Sequence, residues 1–348
     1  MNIKRVQKQL PKIPSHITEE WLKKAFKIDL FRDVWGFSFS DLSNCTFEKD
    51  IDENIINKVV ISTKTKLPKE HPFNTNFEDY VDKDIKILNE LGINGNGVNI
   101  AVIDKNFNEK HNEISRSIKE HISINGNTTD DFHGLVVASN VVGKTLGVAP
   151  KSNVVFYGIE DYKETHGDYT IKALEDIYER NLNGANIRLI SISGYLHTWD
   201  SRFEEIKEKL LSTNCYVVDS PLFGDFFTCI NLRQKNGEKK YEFSSCQIIE
   251  EDKTKLAIPY PGISPLIDTT SDYVIGGDTS YSWVIPRFTS IAALCMQVKP
   301  EITLDEIISL AYDTRYTTDD GKRIINPSEM IKSLLLNLEY NNTKSQSR

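Results

Sequence analysis

Short runs of branched apolar residues alternate along the chain with segments of helical periodicity. Four such runs predict buried strands, at 98–103, 154–157, 187–192 and 215–218. Helical stretches lie between them, at 136–142, 171–180 and 202–211. This alternation favours an α/β fold in which a mostly parallel sheet is covered by helices on both faces. Functional residues of such sheets lie at the carboxyl ends of the strands.

Residues 1–85 follow a different pattern and are predicted to form a small N-terminal accessory region. A helix is expected at 17–26 and a short strand at 59–63, but few apolar runs occur there. The main domain is predicted to span residues 86–340. The last residues, 341–348, are polar and predicted to be disordered.

Composition and charge exclude several classes of partner. The net charge is −8 over 348 residues, with no basic block, which argues against nucleic acid. No secretory leader and no apolar run of membrane-spanning length are found, so we expect a cytoplasmic protein without a membrane partner.

The five cysteines are widely spaced without a CxxC pair, as is typical of reduced thiols. No metal site or cofactor is predicted, and the oligomeric state stays open.

Three residues of complementary chemistry follow one another in the order aspartate, histidine, serine. Asp104 ends the predicted strand 98–103, His133 opens a helical stretch, and Ser282 lies four residues before Pro286 at the start of an apolar helix. A serine hydroxyl needs a base to become a nucleophile, and an imidazole can take its proton near neutral pH. An aspartate then fixes the tautomer of the imidazole and stabilises its cation.

The residues around these three positions resemble the subtilase (subtilisin-like serine peptidase) family over roughly residues 88–315. The similar segments are 95–104, 133–138, 146–150, 190–194 and 282–286. The resemblance implies a subtilisin-like fold and a serine endopeptidase that hydrolyses peptide or protein substrates through an acyl-enzyme. It implies Ser282 as nucleophile, His133 as base and Asp104 as its orienting partner. Ser280 is a rival nucleophile, because 278–280 resembles the family's Gly-Thr-Ser; the position of Pro286 favours Ser282.

The sequence departs from the family where an oxyanion donor is expected. The family usually supplies an asparagine shortly after the strand represented here by 215–218, and the segment 217–225 contains none. Asp219, if protonated, the hydroxyl of Ser220 and a backbone N–H of this loop are the candidate replacements, and a group that the sequence does not reveal is the alternative. The backbone N–H of Ser282 remains a donor in every case. For substrate binding, the resemblance implies that Ser193, Gly194 and Tyr195 pair with an extended peptide.

Two other functions remain open from the sequence. The missing asparagine and the altered residues beside the three candidates are compatible with a catalytically impaired pseudopeptidase that acts as a peptide-binding or regulatory module. An unrelated α/β hydrolase or binding protein is disfavoured, because no Gly-x-Ser-x-Gly motif surrounds Ser282. The accessory region 1–85 is interpreted as a possible pro-segment with an inhibitory or folding role.

Overall fold

The computed structural model describes residues 12–27, 36–124, 126, 130–159, 167–193, 201–235, 238–243, 252–277 and 279–346. The N-terminal part contains β1 (His16–Ile17), α1 (Glu19–Lys27), β2 (Thr46–Phe47), α2 (Glu53–Ile56), β3 (Ile61–Ser62), a 3₁₀ turn (Phe77–Tyr80) and α3 (Lys83–Glu90). The middle part contains β4 (Asn99–Lys105), β5 (Ile118–Ser123), α4 (Phe132–Val142), β6 (Asn153–Ile159), α5 (Asp168–Leu182), β7 (Ile187–Ile192), α6 (Ser201–Ser212), β8 (Tyr216–Val218) and α7 (Ser220–Phe226). The C-terminal part contains β9 (Phe227–Lys235), β10 (Glu238–Phe243), β11 (Leu256–Tyr260), β12 (Ile263–Pro265), β13 (Tyr273–Ile275), α8 (Tyr281–Val298), α9 (Leu304–Asp313), β14 (Tyr316–Thr317), β15 (Arg323–Ile324) and α10 (Pro327–Gln346).

Five parallel strands form the central sheet, in the order β5-β6-β4-β7-β8. Successive side chains of β4 enter opposite layers, because side chains alternate across a sheet. Ile100 and Val102 belong to the core that contains α4 and α8, whereas Ala101 and Ile103 belong to the core that contains α5 and α6. The predicted α/β fold with helices on both faces is confirmed. By the same alternation, Asp104 is on the side of α4 and α8.

The remaining described strands form three further sheets. One has five strands in the order β10-β9-β11-β15-β14, the second is the antiparallel set β12-β13-β3, and the third is the parallel pair β1-β2. The second of these joins the accessory region to the main domain, because β3 comes from the former and β12 and β13 from the latter. A shared apolar cluster lies behind it and includes Val59, Ile61, Ile263 and Ile275.

Most element predictions in the main domain are confirmed to within a few residues. The sequence pattern at 80–91 also predicts a helix. This helix, α3, begins at Lys83 rather than at Tyr80, because the Asp82 side chain accepts a hydrogen bond from the Ile85 N–H and caps it there. At the C-terminus α10 continues to Gln346, into the tail for which the composition predicts disorder. Residues 341–346 contain neither glycine nor proline, so nothing in them breaks a helix already started.

The described cysteines are free thiols. Cys215, Cys229 and Cys295 are buried and Cys45 is half-buried, while Cys246 lies outside the described residues. Burial raises the pKa of the Cys215 and Cys295 thiols to about 12. Among the described helices, none combines the length and the apolar character needed to cross a membrane.

Candidate active site

Asp104 lies at the carboxyl end of β4, in the middle of the central sheet, and is fully buried. Its Oδ1 atom accepts hydrogen bonds from His133 Nδ1 at 2.6 Å and from the Lys105 N–H at 2.7 Å. Its Oδ2 atom is buried without a hydrogen-bond partner among the described residues. The sheet therefore presents this carboxylate to a single imidazole.

His133 lies in the first turn of α4, and two local features fix that turn. The Asp131 side chain caps the helix by accepting the His133 N–H at 2.8 Å, and Asp131 also pairs with Lys105 at 3.4 Å. Gly134 allows the turn to pack on the end of β4, because a Cβ atom there would lie 1.8 Å from the Lys105 carbonyl oxygen. The imidazole is thereby held against Asp104.

The pKa of His133 is raised above its ordinary value of 6.5. Burial acts to lower this pKa, but the charge of Asp104 and its hydrogen bond to the imidazole raise it by more, and Asp131 adds to the increase. The side chain keeps 22% of its surface exposed. The imidazole is therefore both reachable and more basic than a free histidine.

Ser282 is the second residue of α8, an 18-residue helix whose N-cap is Ser280. Its hydroxyl donates to the Ser193 carbonyl oxygen at 3.1 Å. Ser193 directly follows β7, and since Ile103 pairs with Ile192, Asp104 and Ser193 occupy the same edge of the sheet. The serine thus lies where free helix N–H groups and the positive end of the helix dipole meet the carboxyl ends of the strands.

The start of α8 also adjoins His133. The Trp283 indole lies 5.1 Å from the His133 ring, measured between centroids, and 6.3 Å from the ring of Phe132. In the described residues the Ser282 hydroxyl is bonded to the Ser193 carbonyl and not to the imidazole. A rotation about the Cα–Cβ bond of Ser282 is the movement that redirects the hydroxyl.

Asp219 and Ser220, the candidate oxyanion donors, begin α7. Asp219 is fully buried; its Oδ1 accepts the Leu222 N–H at 3.0 Å and its Oδ2 lies 3.6 Å from Lys207 Nζ. Burial raises the pKa of Asp219, while Lys207 and the Leu222 N–H act to lower it. Its observed partners are all donors, so Asp219 accepts rather than donates here. Ser220 is half-buried at the first position of the helix.

The candidate substrate-binding residues are only partly within the described chain. Ser193 is buried, with 5% of its surface exposed, and its carbonyl oxygen contacts Ser282. Gly194 and Tyr195 lie outside the described residues. No group of three or more His, Cys, Asp or Glu side chains within the described ranges is arranged to hold a metal ion.

Sequence reasoning missed the roles of Asp131, Trp283 and the Ser193 carbonyl oxygen. The cap had a readable signal, since an aspartate two residues before His133 precedes an apolar helix. The contact of Trp283 with His133 had none, because it depends on how α4 and α8 pack together.

Part of the chain is similar to a known protein family. The sequence profile described as the subtilase family matches residues 95–215, a range that includes Asp104, His133 and Ser193 but ends before Ser282. Subtilisin-like protease 2 of Trichophyton rubrum is 36% identical over 107 residues, which are 29% of this chain and 25% of that protein. Its counterpart in Trichophyton tonsurans is 38% identical over 95 residues, 26% of this chain and 22% of that protein. The chain therefore spans about a quarter of the length of these relatives.

Solved structures share the fold. The prenylagaramide maturation protease PagA superposes with a TM-score of 0.50 at 15% identity, covering 72% of this chain and 98% of that one. Fervidolysin from Fervidobacterium pennivorans superposes with a TM-score of 0.52 at 14% identity, covering 76% of this chain and 48% of that one. The profile match shows that residues 95–215 are similar to the subtilase family, and the solved structures share the fold of the chain.

Proposed function

We propose that the chain is a serine endopeptidase that cleaves peptide bonds through an acyl-enzyme on Ser282. The observation that carries the proposal is the 2.6 Å hydrogen bond between His133 and buried Asp104, at the sheet edge where Ser282 lies in the first turn of α8. The similarity of residues 95–215 to the subtilase family supports the same reaction class. Peptides or proteins are the proposed substrates.

Both halves of the proposed reaction use the same three side chains. The Ser282 hydroxyl rotates from the Ser193 carbonyl towards His133 and gives its proton to Nε2 while Oγ attacks the scissile carbonyl carbon. Asp104 stays ionised and stabilises the imidazolium. The same proton then passes from Nε2 to the leaving amine as the carbon–nitrogen bond breaks. Water, activated by His133, hydrolyses the ester and restores Ser282.

Stabilisation of the oxyanion is the step for which the residues of this chain differ from the subtilase pattern. The backbone N–H of Ser282 is unpaired within the helix, because the first four N–H groups of a helix have no intrahelical acceptor, and it is one proposed donor. Ser220 is one proposed second donor. Asp219 accepts in the observed arrangement and would donate only once protonated, a form that burial favours by raising its pKa. Loss of one such donor lowers the rate by about 10²–10³-fold, a magnitude measured on a subtilisin. We therefore expect slow turnover.

The test is labelling of the purified chain by a fluorophosphonate, which reacts with activated serines. Wild type and Ser280→Ala are expected to be labelled, and Ser282→Ala is not. Labelling that is lost only in Ser280→Ala would assign the nucleophile to the other serine.

A second candidate function, the pseudopeptidase, is favoured by a specific observation. The Ser282 hydroxyl is bonded to the Ser193 carbonyl, and the asparagine donor is missing from 217–225. A wild-type chain that binds peptides stoichiometrically but is never labelled would support this function against the endopeptidase.

Location in the cytoplasm is proposed from the sequence. Fractionation of cells that produce the chain, followed by immunoblotting of the cytosolic, membrane and external fractions, checks it. Recovery outside the cell would overturn it.

A further inference from the structure

The accessory region reaches the segment that leads into Ser282 through backbone pairing. β3 adds to β13 as an antiparallel strand, with Ser62 opposite Val274 and Ile61 opposite Ile275. Thr63 extends the contact, because its N–H donates to the Tyr273 carbonyl and its Oγ1 accepts the Tyr273 N–H. Residues 276–280 then connect β13 to α8. The accessory region therefore fixes one end of the segment that presents the proposed nucleophile.

Two glycines in this segment lie directly against the accessory region. Gly276 has a φ of 94°, and a Cβ atom there would lie 2.3 Å from the Val59 carbonyl oxygen. Gly277 has a φ of 82°, and its Cβ atom would lie 3.1 Å from Val60 Cγ2. Positive φ and close contact with the accessory region both favour glycine, so the backbone at Gly276 and Gly277 is shaped by residues 59–60.

Arg233 of β9 joins the same two parts of the chain. One terminal nitrogen of its guanidinium donates to the Asn57 carbonyl at 3.1 Å and to the Gly277 carbonyl at 3.0 Å. The side chain is largely buried, with 14% of its surface exposed. A buried guanidinium that bonds two carbonyls holds both segments at a fixed distance.

Apolar contacts also join the accessory region to the main domain. Val60 belongs to the main core that contains α8, while Ile61 packs with Ile263 and Ile275. Removal of residues 36–82 would expose this surface, leave β13 without one neighbour and leave Arg233 with one carbonyl fewer. Such an interface resembles the interior of a domain more than the contact of a detachable segment.

We infer that residues 36–82 are a permanent part of the catalytic unit, and that Arg233 is a positioning residue for the segment that carries Ser282. This inference rests on the proposed function for its catalytic consequence. It replaces the interpretation of the whole accessory region as a removable pro-segment: the active form keeps 36–82.

The first test determines whether the labelled protein still contains residues 36–82. Wild type is treated with a fluorophosphonate, separated by size exclusion under native conditions and analysed by intact mass. The labelled particle is expected to contain residues 36–82, as one polypeptide or as a fragment that co-elutes. Labelled protein that lacks them would overturn the inference while leaving the proposed nucleophile in place.

The second test perturbs the contact itself. Gly276→Ala introduces the clash with Val59, and Gly321→Ala is its matched control, since Gly321 has a φ of 85° and no atom within 4 Å of its Cβ position. A displacement of about 1 Å lowers rates by about 10²-fold. We expect the limiting labelling rate to fall by about that factor in Gly276→Ala and to be unchanged in Gly321→Ala.

Arg233→Met is expected to lower the limiting labelling rate, with Arg233→Lys intermediate. The concentration of reagent for half-maximal rate and the pH midpoint of labelling should stay at their wild-type values, because His133 and Asp104 lie on other elements. Equal labelling rates in all variants would overturn the positioning role. If wild type is not labelled, the proposed function fails; the structural part then stands only if Gly276→Ala unfolds at a lower temperature than Gly321→Ala.

Discussion

Buried Asp104 and half-buried His133 form a pair whose energetics follow from their surroundings. One carboxylate oxygen lies 2.6 Å from the imidazole, and this charge outweighs the burial that acts to lower the pKa of His133. The raised pKa of His133 determines the direction in which pH changes the stability of the fold. The pair stabilises the fold fully below the ordinary histidine pKa, and this contribution is lost as pH rises through the raised value.

The same shift predicts the pH dependence of labelling and hydrolysis. In the proposed mechanism only neutral His133 can take the Ser282 proton, so activity should fall as pH drops through a midpoint above 6.5. Asp104→Asn should move this midpoint down and lower kcat by about 10⁴-fold. A pH–rate profile of each variant checks the prediction.

Asp131→Asn is the control for that profile. It also removes a negative charge near His133, but an asparagine keeps the helix cap and leaves the bond to Asp104 intact. We expect a smaller downward shift of the midpoint and a nearly unchanged kcat. An equal loss of kcat in both variants would contradict the special role of Asp104.

At the scale of elements, the site depends on how closely α4 packs on β4. Gly134 permits the contact, because a Cβ atom there would lie 1.8 Å from the Lys105 carbonyl oxygen. A helix that must move away carries His133 with it, whereas Asp104 stays in the sheet. The geometry of the pair is therefore set by packing between a helix and a strand.

Gly134→Ala tests this dependence. Overpacking should destabilise the fold by about 1–3 kcal/mol, and the displaced imidazole should lower kcat/KM by about 10²-fold. Urea denaturation and peptide hydrolysis measure the two effects. Gly224→Ala is the stability control, because Gly224 is also helical and has no atom within 4 Å of its Cβ position. A Gly134→Ala chain as stable as Gly224→Ala would contradict the packing argument.

At the scale of the whole molecule, a buried ion pair joins the start of α3 to α8. Arg287 donates to Asp82 at 2.6 Å and to the Pro259 carbonyl at 2.9 Å, and only 3% of its side chain is exposed. Burial lowers the pKa of Arg287, and Asp82 opposes that effect. The ion pair connects the boundary between the accessory region and the main domain to α8, whose second residue is Ser282.

Asp82→Asn should be costly, because it leaves a buried guanidinium without its counter-ion. We expect the free energy of unfolding to fall by about 3 kcal/mol, measured by urea denaturation. Lys66→Met is the matched control, since the Lys66–Asp41 pair is exposed and should contribute nothing measurable. Equal stabilities of the two variants would show that the buried pair does not hold the regions together.

The alternation of short apolar runs and helical stretches determined the α/β class, because periodicity is a local property of the sequence. The order of Asp104, His133 and Ser282, with Pro286 four residues on, pointed to the candidate site for the same reason. The contacts across distant segments were decided only by the tertiary structure. The hydroxyl of Ser282 on the Ser193 carbonyl, Trp283 beside His133 and Arg233 between Asn57 and Gly277 join residues far apart in the chain. No local pattern encodes them, because each depends on how whole elements pack.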